Sequence, residues 1–382
     1  MYKVCVVTAT RAEYGLLRPI ITKLDNSKDI RLMLVVTGTH LSNKYGYTID
    51  EIERDKFDID AKIDIGIDDG LSVSDIMAKA LSEFGKYFGS TNPDMVVILG
   101  DRYEMLSVAA AATVSNIPIA HIHGGEITEG AIDDAIRHSI TKMSFLHFTA
   151  TERYRRRIIQ MGENPERVFN VGAPGVENIK NLTPLPTDEL EKSLGIRIAD
   201  HKSIAVLTYH PETISDFKAE DQIEEIMHFM DMHNEIMFIV TGANSDKDGE
   251  KINGMLAEYC NKHIDHCRFF MSLGQVRYLS LLRHSNFVVG NSSSGIIEVP
   301  SFGIPTINIG DRQKGRDRAN SIIESECKFE EIEKAYNKAK EIKGIKIVNP
   351  YEGNNTSQTI VNTIESFLSK GIDLRKSFYN ID

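Results

Sequence analysis

Short runs of apolar, β-branched residues alternate along the chain with stretches whose apolar positions recur at helical spacing. The runs read as buried strands and the stretches as amphipathic helices. In the first half strands are predicted at 4–8, 31–37, 95–99, 117–122, 145–149 and 168–171. Helices are predicted at 16–24, 74–88, 104–114, 132–144 and 152–161. The stretch 183–202 breaks this rhythm, with Pro184, Pro186, many charges and no strong strand. It reads as a linker containing a short helix. A second series follows, with strands at 204–207, 237–240, 268–271, 287–289 and 306–309. Its helices are predicted at 223–232, 249–261, 273–283, 294–299, 330–341 and 356–368.

Strand and helix in alternation predict mostly parallel sheets, hence an α/β chain of two doubly wound, Rossmann-like domains. The expected boundaries are 1–175 for the first domain, 176–202 for the linker, 203–365 for the second domain and 366–382 for a terminal segment. Ligands of such folds bind outside the carboxyl ends of the strands, and two such domains make the cleft between them the expected site. The length of 382 residues suits this organisation.

Charge narrows the partners. Fifty-five acids against 44 bases give a formal net charge of −11, which argues against nucleic acid as the main ligand. A few local arginines still suffice for a small anion. No apolar run approaches the roughly 18 residues of a membrane helix. The opening MYKVCVVTATR has too short an apolar part for a signal peptide and reads as a first strand, so a cytoplasmic protein is expected. Cys5, Cys260, Cys267 and Cys327 form no CxxC pair, and reduced thiols are expected.

The polar residues at predicted strand ends hold the candidate chemistry. The first strand leads into Thr8-Ala-Thr-Arg11-Ala-Glu13, which sets an arginine just before a helix start, where an anion is favoured; the plainer alternative is a surface arginine capping a loop. The turn is not GxGxxG, so classical dinucleotide binding has little support. The strand 95–99 ends in Gly100-Asp101-Arg102, either a site or a simple ion pair. His121-Ile-His123-Gly-Gly-Glu126 follows the strand 117–122, and Glu129, Asp133, Asp134, Arg137 and His138 come after it. Glu126, Asp133 and Asp134 could raise one another's pKa values for acid/base work, or the two aspartates could serve as helix caps. The His-x-His pair lacks a third ligand at clear spacing.

In the second half His210 precedes a proline at a strand end. Gly290-Asn-Ser292-Ser293-Ser-Gly295 forms a strand–turn–helix anion cradle, with Glu298 one helical turn on for ribose hydroxyls. Gly310-Asp-Arg312-Gln-Lys-Gly-Arg316 adds basic density, and no Walker A loop is present. Arg153, Arg155, Arg156 and Arg157 read as a solvated helix face. His263, His266 and Cys267 evoke a metal site, but their spacing completes no ligand set.

As an ordered set these segments, with Thr37-Gly-Thr-His40 and Tyr209-His-Pro-Glu212, are specific. Over nearly its whole length the chain resembles the hydrolysing UDP-N-acetylglucosamine 2-epimerases of bacterial sialic-acid synthesis. The resemblance implies two domains of the glycosyltransferase B type, a UDP-sugar in the interdomain cleft, and a terminal segment 366–382 that crosses back to the first domain. It implies elimination of UDP to a 2-acetamidoglucal, then hydration with inversion at C2 to N-acetylmannosamine. Asp101, Asp133 and His210 fall at its catalytic positions, with Asp134 adjacent and Glu126 the nearest glutamate to share proton transfer, and Arg11, His40, Arg102, Asn244, Ser292, Ser293, Glu298 and Arg312 fall at positions for binding the UDP-sugar. His123 stands where the wider family has a glutamate, which leaves the identity of the C2 base open. No metal or other cofactor is expected, and a homo-oligomer, dimer or tetramer, is. A sister activity on UDP-2,4-diacetamido-2,4,6-trideoxyglucose, in legionaminic-acid synthesis, is the alternative. A non-hydrolysing epimerase, a glycosyltransferase and a silent UDP-sugar sensor fit less well.

Overall fold

A computed structural model describes residues 1–128, 132–211, 218–243, 249–342 and 344–381. The chain divides into two compact units. The first takes Met1–Glu126, Ile132–Asn178 and Glu352–Asp382, and the second is built on Ile179–Tyr351.

The first unit holds strands β1 (Tyr2–Thr8), β2 (Ile30–Thr37), β3 (Ile59–Ile63), β4 (Met95–Leu99), β5 (Ile119–Ile122), β6 (Leu146–Thr149) and β7 (Val168–Asn170) in the order β3-β2-β1-β4-β5-β6-β7. Every neighbouring pair is parallel. The second unit orders β8 (Ile204–Thr208), β9 (Met237–Thr241), β10 (Cys267–Phe270), β11 (Phe287–Gly290), β12 (Thr306–Ile309) and β13 (Ile322–Ser325) as β10-β9-β8-β11-β12-β13, again all parallel. The predicted doubly wound class is therefore the observed one. In each sheet the winding reverses once, between β1 and β4 and between β8 and β11. Those reversals leave a crevice at the carboxyl ends of the strands.

The two edge strands β3 and β13 escape the sequence pattern. In β3 Asp60 and Lys62 alternate with half-buried Ile59 and Ala61, so the strand lacks the solid apolar run of a central one.

Two corrections concern the boundaries. The helix Thr356–Lys370 is a core element of the first unit: Ile360, Val361, Ile364 and Leu368 pack with Val4, Val6, Leu17 and Ile21. Burying each such side chain contributes about 1.5–3 kcal/mol, so the helix cannot be a free appendage of the second domain. Thr356 Oγ1 also donates to the Val171 carbonyl at 2.7 Å. The return to the first unit thus starts at Glu352, not at 366. From Ile179 onward the expected linker 176–202 belongs to the second unit, because Ile179, Leu190, Leu194 and Ile196 join a core with Val206, Ile239 and Leu282.

The tail beyond this helix docks on a buried carboxylate. Glu163, nearly inaccessible, meets Lys142 at 2.5 Å, His147 at 3.2 Å and Lys376 at 2.7 Å. Burial pushes its pKa up, but its bonds to these three outweigh that and hold it down at about 2. The thiol expectation also needs revision: Cys260 and Cys267 are joined as a disulfide, with Cα atoms 5.0 Å apart. Cys5 and Cys327 are free thiols.

Candidate active site

In the first unit the polar residues collect at the ends of β1, β4 and β5, on both sides of the winding reversal. The helix Arg11–Asp25 starts there with a capping box. The Glu13 carboxylate accepts from the backbone N–H of Ala9 at 3.0 Å and of Thr10 at 3.2 Å. Its other oxygen, buried without a hydrogen-bond partner, lies 3.9 Å from Arg102 Nε. Arg102 Nε in turn donates to fully buried Glu104 at 2.5 Å. Burial first, then the Glu104 charge, pushes the Glu13 pKa up to about 8, against the pull of Arg102 and the two amides. Burial draws Arg102 down, but Glu104 and Glu13 outweigh it and keep the guanidinium protonated.

Gly100, with φ +80, turns the chain after β4 and delivers Asp101 to the strand tip. There Arg137, a buried arginine of the helix Ile132–Met143, pairs with Asp101. The same guanidinium donates to the Glu126 carbonyl at 2.9 Å and reaches Asp134 at 3.3 Å. Arg137 thus ties the ends of β4 and β5 to the first turn of the helix carrying Asp133 and Asp134.

After β5, His123 adopts φ +66, left-handed and uncommon for a side-chain-bearing residue. Its Nδ1 donates to Glu126 Oε1 at 2.6 Å, which fixes the orientation of the ring. That Nε2 is buried and has no hydrogen-bond partner. The turn needs its glycines: a Cβ on Gly125 (φ +79) would lie 2.6 Å from the Tyr154 carbonyl. Arg157 also donates to the Gly125 carbonyl, and Arg155 Nε to that of Val168 at 2.8 Å. Two of the four arginines expected on a solvated face therefore hold loops, whereas Arg156 remains exposed. His121 is buried and donates from Nε2 to the Gly100 carbonyl at 2.8 Å, and burial lowers its pKa to about 3. It is a neutral buttress under the turn.

In the second unit β8, β11 and β12 converge. Buried Asn291 clamps the backbone of His210 twice, accepting from its N–H at 2.7 Å and donating to its carbonyl at 2.8 Å. Gly290 (φ +129) permits this approach, since a Cβ there would fall 2.0 Å from the Thr208 carbonyl. Gln313 Nε2 donates to the Asn291 carbonyl at 2.9 Å and Arg312 Nη1 at 3.3 Å. Ser292 is the N-cap of the short helix Ser293–Ile297, and its hydroxyl makes no capping bond. Glu298 closes that helix and accepts from Ser294 Oγ.

Arg137 thus joins Asp101, the Glu126 carbonyl and Asp134 at the first reversal, with Arg102 next to Asp101 in sequence and Asp133 in the same helical turn as Asp134, while His210, Ser292, Ser293, Glu298 and Arg312 lie at the strand ends around the second. Arg11 is half exposed and ion-paired to Glu51 at 2.8 Å. His40 is wholly buried, with Nε2 3.1 Å from Thr8 Oγ1 and Nδ1 2.8 Å from Thr48 Oγ1, so both ring nitrogens have partners within the protein. Burial lowers its pKa to about 4. Asn244 lies outside the described residues, as do Glu129 and Glu212. Glu13, Glu104, His123, Arg137 and Asn291 were not singled out as site residues. The one usable signal was the i, i+3 spacing of Asp134 and Arg137 on a helix.

A chain with these paired parallel sheets and strand-end clusters matches the UDP-N-acetylglucosamine 2-epimerase family over residues 22–365. The protein belongs to that family. Among its relatives is the GDP/UDP-N,N'-diacetylbacillosamine 2-epimerase (hydrolyzing) of Campylobacter jejuni, 45% identical over 88% of this chain and 87% of its own. Polysialic acid biosynthesis protein P7 of Escherichia coli is 41% identical over 100% of this chain and 98% of its own. The crystal structure of UDP-GlcNAc 2-epimerase from Neisseria meningitidis bound to UDP-GlcNAc shares the fold, with a TM-score of 0.81 at 18% identity over 96% of this chain and 100% of that one. Among the described residues no helix is long and apolar enough to cross a membrane.

Proposed function

We propose that the protein is a hydrolysing 2-epimerase that converts UDP-N-acetylglucosamine and water to N-acetylmannosamine and UDP. Family membership and the 45% and 41% identical relatives support the hydrolysing UDP-sugar 2-epimerase class. The observation that carries the chemistry is the set of proton-handling groups locked at the first winding reversal: Asp101 on Arg137, and His123 oriented by Glu126.

The C2 proton of the sugar is weakly acidic, so its removal has to accompany cleavage of the C1–O bond. A base at C2 takes that proton while the bond electrons leave with UDP, giving a 2-acetamidoglucal. Water then adds its hydroxyl to C1, and a proton enters C2 from the opposite face. Asp101, Glu126, Asp133 and Asp134 supply acid/base capacity. His123, whose buried Nε2 has no hydrogen-bond partner, is a further base candidate that Glu126 positions. In the second unit Ser292, Ser293 and Arg312 bind the diphosphate and stabilise its developing charge, Glu298 takes the ribose hydroxyls, and His210 lies beside the same turn.

A second reading keeps the reaction and changes the sugar to UDP-2,4-diacetamido-2,4,6-trideoxyglucose. It is favoured by the relative of 45% identity, whose name gives diacetylbacillosamine. Measuring UDP release from each sugar nucleotide at matched concentrations tests both. Higher kcat/KM on UDP-N-acetylglucosamine is expected; the reverse order selects the second reading, and release from neither overturns the proposed class.

A further inference from the structure

A cluster at the amino ends of β9 and β10 takes no part in the reaction above. We propose that Asp231, His263 and His266 form a binding site for one divalent transition-metal ion of the zinc type, on the sheet edge opposite the anion cradle. Asp231 lies in the last turn of the helix Ala219–Met232, which leads to β9. His263 and His266 flank the turn into β10. The candidate donor atoms of the three side chains all lie within 4.8 Å of one another.

Each donor is already oriented. His266 is buried, and its Nδ1 donates to Asp265 Oδ2 at 3.2 Å. Its Nε2 is buried with no hydrogen-bond partner, and in the neutral ring that a metal requires it is the nitrogen with the lone pair. A carboxylate behind a histidine is the arrangement that fixes the tautomer of a metal ligand. Asp231 Oδ1 accepts from Tyr259 at 2.6 Å, and the Tyr259 ring stacks on His263 at 4.4 Å between centroids. Backbone bonds from His266 and Cys267 to the His263 carbonyl, at 3.2 and 2.9 Å, shape the turn.

Two imidazoles and one carboxylate suit zinc or cobalt(II), with water completing the shell. Zinc bonds of about 2.0–2.1 Å set ligand atoms roughly 3.3 Å apart, so the side chains draw inward on binding. Cys267, the third ligand that the local sequence suggests, is tied to Cys260, and Asp231 from 32 positions before His263 takes its place. The anion cradle sits at the carboxyl ends of β8, β11 and β12, so the ion would brace the turn rather than touch substrate.

The test uses tag-free, metal-stripped full-length protein titrated with zinc by calorimetry and with cobalt(II) by absorption. One ion per chain is expected, with cobalt d–d bands and no thiolate charge-transfer band. Asp231→Asn and His263→Ala, each with an unchanged metal-free melting temperature, should abolish saturable binding, and Asp265→Ala should weaken it about 10–100-fold. UDP release should be the same with and without chelator. Absence of saturable binding in the parent protein would overturn the proposal. So would binding that survives both ligand variants, a thiolate band that disappears in Cys260→Ser, or loss of UDP release on chelation.

Discussion

Glu13 shows how a local cap becomes an electrostatic device. The same carboxylate closes the capping box and shares a buried space with Glu104 and Arg102. Its raised pKa means that the folded state holds the proton more tightly than the unfolded chain does. The resulting stabilisation is complete below pH 4.5, the ordinary value, and is lost as pH rises through about 8. Glu13→Gln should flatten the fall in stability over that window in denaturant titrations. An unchanged pH slope would show that Glu13 is ionised at neutral pH. His123 makes a kinetic prediction. With Nδ1 spent on Glu126 and Nε2 buried without a hydrogen-bond partner, His123→Ala should slow UDP release by roughly 10²–10⁴-fold while leaving UDP affinity intact. Near-normal turnover would remove His123 from proton transfer.

At the scale of elements, the sequence pattern found the central strands because each is buried on both faces and mostly apolar, as Met95–Leu99 and Phe287–Gly290 are. It passed over β3 and β13, whose exposed edges admit Asp60, Lys62 and Glu324. It read prolines and charges at 183–202 as a linker, although Leu190 and Leu194 anchor that segment in a core. The strand-end motifs were legible since turn chemistry and acid/base residues coincide there. Arg137 and the inward Arg155 and Arg157 were not, because an arginine buries only when distant carbonyls and carboxylates receive it. The terminal segment depends on one such long-range receiver, Glu163. Glu163→Gln should cost about 3 kcal/mol by leaving Lys376 and Lys142 without their anion. That contribution is complete above pH 4.5 and disappears as pH falls toward 2, so parent and variant should converge in acid melts. Equal stability at neutral pH would show that the tail docks without this carboxylate.

For the whole molecule, the proposed reaction assigns a different task to each of two sheets of the same winding. The first gathers acids, bases and a fixed histidine at its reversal, and the second gathers a Ser/Gly turn, Arg312 and Glu298 at its own. A reaction that breaks C2–H and C1–O together, then rebuilds both positions from water, needs proton transfer at one part of the substrate and anion binding at another. The most direct measurement is a proton NMR time course in D₂O with UDP-N-acetylglucosamine. The account predicts UDP together with free N-acetylmannosamine that carries deuterium at C2. Free N-acetylmannosamine that retains its C2 proton, or accumulation of UDP-N-acetylmannosamine, would contradict it.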